Sequence, residues 1–239
     1  RNIGGFFWMS ELYELLKNNL DHTGLPVMEQ NLFKHTTEKY GKEEFRKTLA
    51  EFITKEKPPY PLKEFDMEKV VDVFRKLQKA DFTKYLSTPD NVMEKYDDYK
   101  YAYKDYGLGL IDCPSVFNYC SDAFMNDLRM ECGSYGFKSP VTRWNEGDNI
   151  WGAFGPIWRG VNSSQDLSRG TYTMAFRLGT YIATQFKPVV AKTIYEMCDA
   201  KTVLDTSMGW GDRLTAFYAS NATHYIGCDP NPNTFKQYK

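Results

Sequence analysis

The chain has 239 residues, enough for one large or two small domains with separate cores. Its 30 basic and 31 acidic side chains leave a net charge of -1, so overall charge gives no support to nucleic-acid binding. The five cysteines lack the close spacing of a zinc site, so we expect no metal and reduced thiols in a cytoplasmic protein. No apolar run reaches the roughly 18 residues of a membrane span, so we expect no membrane partner.

The first hundred or so residues show apolar side chains at helical spacing. Two stripes predict amphipathic helices, one within residues 42–54 and one after a probable N-cap at Asp66: Phe45, Leu49, Phe52 and Ile53, then Val70, Val73, Phe74 and Leu77. Such stripes more often form a core than a partner-binding groove. We therefore interpret residues 1–137 as a mostly helical accessory domain.

Two further segments precede the change in composition at residue 138. Residues 96–107 contain five tyrosines among charges of both signs, which favours a solvated connector over a platform on which bases stack. A helix is predicted over residues 115–132, because Pro114 precedes it and Gly133 follows it.

Residues 138–192 carry seven basic and three acidic side chains and three of the five tryptophans. Their glycines predict loops. Arginines and the tryptophans Trp144, Trp151 and Trp158 could grip a nucleic-acid strand or a flipped base. Alternatively, the tryptophans pack the accessory domain onto a following sheet. The sequence leaves both interpretations open.

A helix is predicted over residues 189–198, directly after Pro188, whose missing N–H suits a first helical turn. Val190, Ile194 and Met197 share one face, which we expect to cover a sheet. We also expect Cys198 and Cys228 to pack in the core, since both follow apolar patterns.

The end of the chain carries the most informative pattern. A short apolar run ends in Asp205, Gly209 and Gly211 follow one residue apart, and a second apolar run ends in Asp229. This order predicts strand, glycine turn, helix and strand. Glycines at such a turn let a ligand approach the backbone, and an acid after the second strand can accept hydrogen bonds from ribose hydroxyls.

Other nucleotide motifs fit less well. A dinucleotide fingerprint needs a third glycine where Leu214 stands, and a phosphate-binding loop needs Gly-Lys-Ser/Thr where Gly211 is followed by Asp212 and Arg213. The remaining Asp-x-x-x-Gly-x-Gly pattern resembles motif I of the S-adenosylmethionine-dependent methyltransferases. The run Ser-Met-Gly-Trp-Gly-Asp-Arg, with Asp-Pro-Asn-Pro after the second strand, is most similar to DNA methyltransferases of phages and large DNA viruses.

The resemblance implies S-adenosylmethionine as cofactor. It implies that Asp205 lies near the methionine part, that the turn from Gly209 to Gly211 admits the carboxypropyl arm, and that Asp229 binds the ribose. Phe186 matches a phenylalanine that helps to enclose the methionine end of the cofactor. The other candidate cofactor-binding residues lie in the turn and after the second strand: Ser207, Trp210 and Asn231.

The residues that would hold the acceptor are not identified by the sequence. Amino methyltransferases carry an Asp/Asn/Ser-Pro-Pro-Tyr/Phe motif, and its core occurs here only as Pro58-Pro59-Tyr60. Lys57 precedes that core and cannot accept a hydrogen bond from an amine. We therefore interpret this segment as an extended linker and assign no catalytic residue.

The expected fold class is α/β, with the helical accessory domain followed by the start of a Rossmann-like methyltransferase sheet. Residues 138–239 would form a loop-rich segment and the first half of that domain. A complete sheet of this kind has about seven strands, and each strand-helix unit takes about thirty residues. We therefore expect the chain, which starts with Arg1, to be an N-terminal fragment or to be completed by a partner.

The predicted function is methyl transfer to an amino group of a DNA base, with nucleic acid as partner. A first alternative is a methyltransferase for a small-molecule or protein acceptor, which would use the same cofactor site. A second is a non-enzymatic binding module whose Rossmann half is vestigial. A nicotinamide enzyme is disfavoured by Leu214.

Overall fold

The structure is a computed structural model that describes residues 4–86, 113–147, 150–155, 157, 165–177 and 180–239, with side chains from residue 11 onward except that of Trp151. The described elements are helices α1 Gly4–Lys17, α2 Gln30–Tyr40, α3 Lys42–Glu56, α4 Met67–Lys79, α5 Asn118–Glu131, α6 Pro140–Glu146, α7 Ile150–Ala153, α8 Arg169–Arg177, α9 Pro188–Met197, α10 Asp212–Tyr218 and α11 Pro232–Gln237, strands β1 Thr202–Asp205 and β2 His224–Gly227, and the 3-10 helix Phe82–Tyr85. Helices together with a parallel strand pair agree with the α/β class. The tyrosine-rich residues 96–107 lie outside the described residues.

The chain forms two compact units, each built from two separate stretches. The first unit comprises Arg1–Lys63 and Arg129–Ala183, and the second comprises Glu64–Leu128 and Thr184–Lys239. Helix α5 supplies residues to both units, because the division falls after residue 128.

The first unit has an aromatic core organised around α3. The predicted stripe of α3 is buried, and the helix packs against α1, α2 and α7. Trp144 lies in this core within 5.1 Å of the Phe176 ring centroid and at 6.0 Å from that of Tyr172, in an edge-on contact. Edge-on and tilted ring pairs of this kind add to the stabilisation that burial provides.

One sequence prediction for this unit is confirmed in part and another is wrong. The segment around Tyr60 is the predicted non-helical connection before helix α4, but it also packs into the core, since Tyr60 is buried and the Pro58 carbonyl accepts a 2.7 Å hydrogen bond from Trp144 Nε1. The prediction of loops for residues 138–192 is wrong, because this range contains the helices α6 and α8. Gly147 ends α6 in a left-handed conformation, so this glycine terminates a helix.

The second unit contains the parallel pair β1 and β2, with Thr202 opposite His224 and Asp205 opposite Gly227. Its α4 begins as predicted, because the Asp66 carboxylate accepts a hydrogen bond from the Glu68 N–H. The predicted helix over residues 115–132 is α5. Helix α9 packs against α10 and the 3-10 helix.

The predicted face of α9 is wrong. Ile194 and Met197 are exposed, whereas the buried face contains Lys192, whose ammonium donates a 2.8 Å hydrogen bond to the Ala80 carbonyl and pairs with Glu196 at 2.7 Å. A lysine can be buried when its charge has such partners. The remaining buried residues of α9 are Pro188, Val189, Ala191 and Thr193.

The two cysteines expected in the core, Cys198 and Cys228, are both exposed. One face of the strand pair is also open to solvent, since Leu204 and its neighbour in register, Ile226, are 68% and 60% exposed. Within the described residues, no helix is long and apolar enough to cross a membrane.

Candidate functional site

The predicted order of strand, glycine turn, helix and strand is confirmed. The end of β1 and the residue after β2 are joined by a 2.9 Å hydrogen bond from the Cys228 N–H to the Asp205 carbonyl. The Met208 N–H in turn donates to the Cys228 carbonyl at 3.1 Å. The turn after β1 therefore lies at the carboxyl ends of both strands, where open α/β sheets bind ligands.

Both glycines of the turn have left-handed backbone conformations. The φ angle is 60° at Gly209 and 76° at Gly211. A Cβ atom at Gly211 would lie 3.7 Å from Met125 Cε and from Tyr238 Cε1. The conformation, more than the available space, therefore requires glycine at these positions.

The Asp205 carboxylate holds the turn and is only 7% exposed. Its Oδ2 accepts hydrogen bonds from Arg213 Nε at 2.9 Å and from the Tyr225 hydroxyl at 2.5 Å, and its Oδ1 accepts one from the Ser207 N–H at 3.1 Å. Burial alone would raise the pKa of Asp205, but these hydrogen bonds outweigh it and lower the pKa below its ordinary value. Asp205 is therefore a charged support of the turn.

Asp229 lies against the same turn from the side of β2. Its Oδ2 accepts a 2.7 Å hydrogen bond from the Gly209 N–H. Its Oδ1 accepts from the Asn231 N–H at 2.9 Å and from Thr234 Oγ1 at 3.2 Å. Because a carboxylate has about four acceptor positions, the described residues leave one position on Oδ2 unused.

Tyr238, the residue that follows helix α11, holds the turn in place. Its hydroxyl donates a hydrogen bond to the Gly209 carbonyl, and burial raises its pKa to about 12. The phenol therefore remains protonated at neutral pH and keeps its donor function. Asp229 and Tyr238 together engage both the N–H and the carbonyl of Gly209.

Arg213 and Phe186 form the wall of the site beside Asp205. Arg213 donates from Nη2 to the Ser207 carbonyl, and its Cζ lies 5.5 Å from the centroid of the half-exposed Phe186 ring. The structure thus brings Phe186, distant from the turn in sequence, next to it. Arg213 was not among the residues predicted from the sequence. Its position could have indicated a role, because a cation in the first turn of a helix is unfavourable next to the positive end of the helix dipole and therefore needs another reason to be there.

A buried polar cluster lies behind the turn. Asp212 is almost fully buried, and its Oδ1 accepts hydrogen bonds from Asn118 Nδ2 at 2.9 Å and from Ser121 Oγ at 2.5 Å. Asn118 Nδ2 also donates to the Phe186 carbonyl at 2.6 Å. Asn118 and Ser121 lie about 90 residues from Asp212 in the chain, so no local sequence pattern could have identified them as its partners.

The remaining predicted residues differ in position. Asn231 is the N-cap of α11, with its side chain accepting a 3.0 Å hydrogen bond from the Asn233 N–H. Ser207 is exposed in the turn, while Trp210 and Leu214 are half-buried. Asn231 thus stabilises α11, and Ser207 and Trp210 border the turn that the sequence identified.

Two of the residues predicted to grip nucleic acid, Trp144 and Arg169, have structural contacts in the first unit. Trp144 is 3% exposed in the core of the first unit, so its ring is not available to stack on a base. Arg169 pairs with Asp21 at 3.2 Å and donates to the Leu62 carbonyl at 2.9 Å. The side chain of Trp151 and all of Trp158 lie outside the described residues.

We compared the chain with protein-family models, with curated proteins and with solved structures, and none of them matches it.

Proposed function

We propose that the second unit binds S-adenosylmethionine at the turn between Asp205 and Gly211, and that the protein is a methyltransferase acting on an amino group of a DNA base. The observation that carries the proposal is the left-handed glycine turn between parallel strands, with Asp229 beside Gly209. A Rossmann-like arrangement of this region is part of the same proposal.

The charges around the turn are suited to this cofactor. S-adenosylmethionine carries a sulfonium and an ammonium cation, and the turn is bordered by the carboxylates of Asp205 and Asp229. Opposite charges at a binding site favour association and exclude ligands of the wrong sign. The residues present therefore fit the cofactor.

Each candidate residue then has a defined task. Asp229 binds a ribose hydroxyl through its remaining Oδ2 position, and the glycine turn lets the cofactor lie against the backbone. Asp205 fixes the turn through Ser207 and Arg213 without touching the ligand, because its carboxylate is buried beneath the turn, whereas that of Asp229 is partly exposed. Phe186 shields the methionine end from water.

The bound cofactor supplies a methyl group activated by a sulfonium sulfur. The chain contributes position and water exclusion, which are the main needs of such a transfer. We assign no catalytic residue. Pro58-Pro59-Tyr60 is not proposed as the acceptor motif, since Tyr60 belongs to the aromatic core of the first unit.

A small-molecule or protein acceptor is the second candidate. This candidate is favoured by the contacts of Trp144 and Arg169. The DNA hypothesis would use both side chains to grip DNA, but both already contact other residues of the first unit. The DNA base remains the first candidate because of the resemblance of the turn to DNA methyltransferases of phages and large DNA viruses. A binding module without activity would follow only if the cofactor does not bind.

Calorimetric titration of S-adenosylmethionine tests the cofactor. We expect micromolar binding to the unaltered protein and loss of binding in Asp229→Ala. Asp72→Ala is the matched control, because Asp72 is an exposed acid of the same unit that pairs with Lys76 on its own helix. No binding to the unaltered protein would refute the proposal.

Methyl incorporation tests the acceptor. The protein is incubated with cofactor carrying a radioactive methyl group and with duplex DNA, single-stranded DNA or RNA. Label in DNA that is recovered as an N-methylated base supports the first candidate. Cofactor binding without label in any nucleic acid would instead favour the second.

A further inference from the structure

The guanidinium group of Arg213 is held in a fixed orientation at the edge of the turn. Nε donates to Asp205 Oδ2 at 2.9 Å, and Nη2 donates to the Ser207 carbonyl. The Phe186 ring lies 5.5 Å from Cζ. These contacts use one edge of the guanidinium plane and orient it, so the position of the other edge is also determined.

The second edge has unused donors. A guanidinium group has five N–H bonds, and the bonds to Asp205 and Ser207 use two of them. Within the described chain, Nη1 makes no hydrogen bond, and the side chain is 28% exposed. The Nη1 and Nη2 edge therefore presents two parallel donors, which is the geometry that binds a carboxylate in a bidentate manner.

An anionic group of a ligand can bind beside the turn only if a cation of the protein faces it. Asp205 and Asp229 border the turn, and a further carboxylate would be repelled there unless a cation faced it. Asp205 uses only the Nε edge of Arg213. The guanidinium can thus neutralise Asp205 and bind a second carboxylate at the same time.

We infer that Arg213 binds the α-carboxylate of the cofactor's methionine part through its Nη1 and Nη2 edge. This inference rests on the proposed function, because it assumes that the turn binds S-adenosylmethionine. Arg213 then has two tasks. It positions Asp205 and Ser207, and it distinguishes ligands that carry a carboxylate from those that lack one.

The test compares S-adenosylmethionine with decarboxylated S-adenosylmethionine, which retains the sulfonium and the amine. Both are titrated calorimetrically into the unaltered protein, Arg213→Lys and Arg213→Gln. We expect the unaltered protein to prefer the carboxylated ligand about tenfold to a hundredfold, as charge-assisted hydrogen bonds predict. We expect Arg213→Gln to bind both ligands alike.

Arg213→Lys is the more conservative variant. Its ammonium can still pair with Asp205 and so support the fold, but it lacks the two parallel donors of a guanidinium group. We expect it to retain only part of the preference. Tyr225→Phe is the matched control, because it removes another donor to Asp205 and leaves Arg213 in place. We expect this control to keep the full preference, and thermal unfolding to verify that each variant is folded.

The outcomes separate the inference from the proposed function. Equal affinity of the unaltered protein for both ligands, or equal losses of both in the folded arginine variants, would overturn the role of Arg213 and leave the cofactor in place. Failure of the unaltered protein to bind either ligand would overturn the cofactor and the role of Arg213 together.

Discussion

The interiors of the two units contain different kinds of buried residues. The core of the first unit is rich in fully buried aromatic side chains: Phe33, Phe45, Phe52, Phe154, Tyr172 and Phe176. The second unit has a small apolar cluster: Val73, Leu77, Phe117, Cys120, Val189 and Ala219. It adds a set of buried polar side chains near the turn: Asn118, Ser121, Asp205 and Asp212.

The difference determines how each unit responds to change. Burial of ring surface is non-directional, so the first unit should lose stability in proportion to the apolar area that a mutation removes. Buried polar groups depend on particular partners, and one missing partner leaves another group unsatisfied. The candidate site lies in the second kind of environment, which fixes its geometry.

Removing a ring from the first unit should have the largest effect. Phe176→Ala leaves a cavity beside Trp144 and Phe154, and we expect a loss of about 3–5 kcal/mol in the free energy of unfolding. Denaturant titration measures it. Met174→Ala, an exposed position of the same helix, should change stability by less than about 0.5 kcal/mol. Similar losses for both would contradict an aromatic core.

Removing the buried acid of the second unit should be next. Asp212→Ala leaves Asn118 Nδ2 and Ser121 Oγ without this acceptor, and we expect a loss of about 2–4 kcal/mol. Asp72→Ala removes only an exposed ion pair and should cost less than about 1 kcal/mol. If the buried acid proved as dispensable as Asp72, the polar cluster would not stabilise this unit.

Adding a methyl group at the end of β2 tests the packing of the turn. A Cβ atom at Gly227 would lie 2.5 Å from Met208 Sδ and 2.7 Å from Tyr225 Cε1, so Gly227→Ala should cost about 1–3 kcal/mol. Gly152→Ala is the control, because its added methyl would meet no atom within 4 Å among the described residues beyond its own helix. Denaturant titration of both variants should show a loss at Gly227 alone.

The smallest effect concerns pH. The pKa of Asp205 is lowered when folded, so its contribution to stability is present above an unfolded pKa of about 3.9 and is lost as the pH falls through the folded value. Tyr225→Phe removes one stabilising donor and should cost about 1.5 kcal/mol at neutral pH. The difference from the unaltered protein should narrow as the pH falls from about 4 and Asp205 becomes protonated.

Tyr218→Phe provides the comparison for this pH series, since Tyr218 is an exposed tyrosine of the same unit. It should show no pH-dependent difference in the free energy of unfolding between pH 2.5 and 7, a range of about 4.5 units around the carboxylate pKa. A Tyr225→Phe difference that stays constant over that range would show that the phenol does not stabilise the ionised form of Asp205.

Much of the local structure was predictable. Helices α3 and α4 follow from apolar spacing, and β1 with its turn follows from an apolar run before Asp205 and two glycines. The buried face of α9 was not predictable in this way. Apolar periodicity treats Lys192 as exposed, whereas Glu196 and the Ala80 carbonyl make its burial favourable.

The sequence by itself determined the order of elements around the turn and the positions of Asp205 and Asp229, because strand ends and left-handed turns depend on neighbouring residues. Only the tertiary structure decided the partners of those acids. Arg213 and Tyr225 engage Asp205, Gly209 engages Asp229, and helix α5 reaches the turn from about 90 residues away. Hydrogen bonds between distant segments leave no periodic trace in the chain, so their role in the site became visible only once the fold had brought them together.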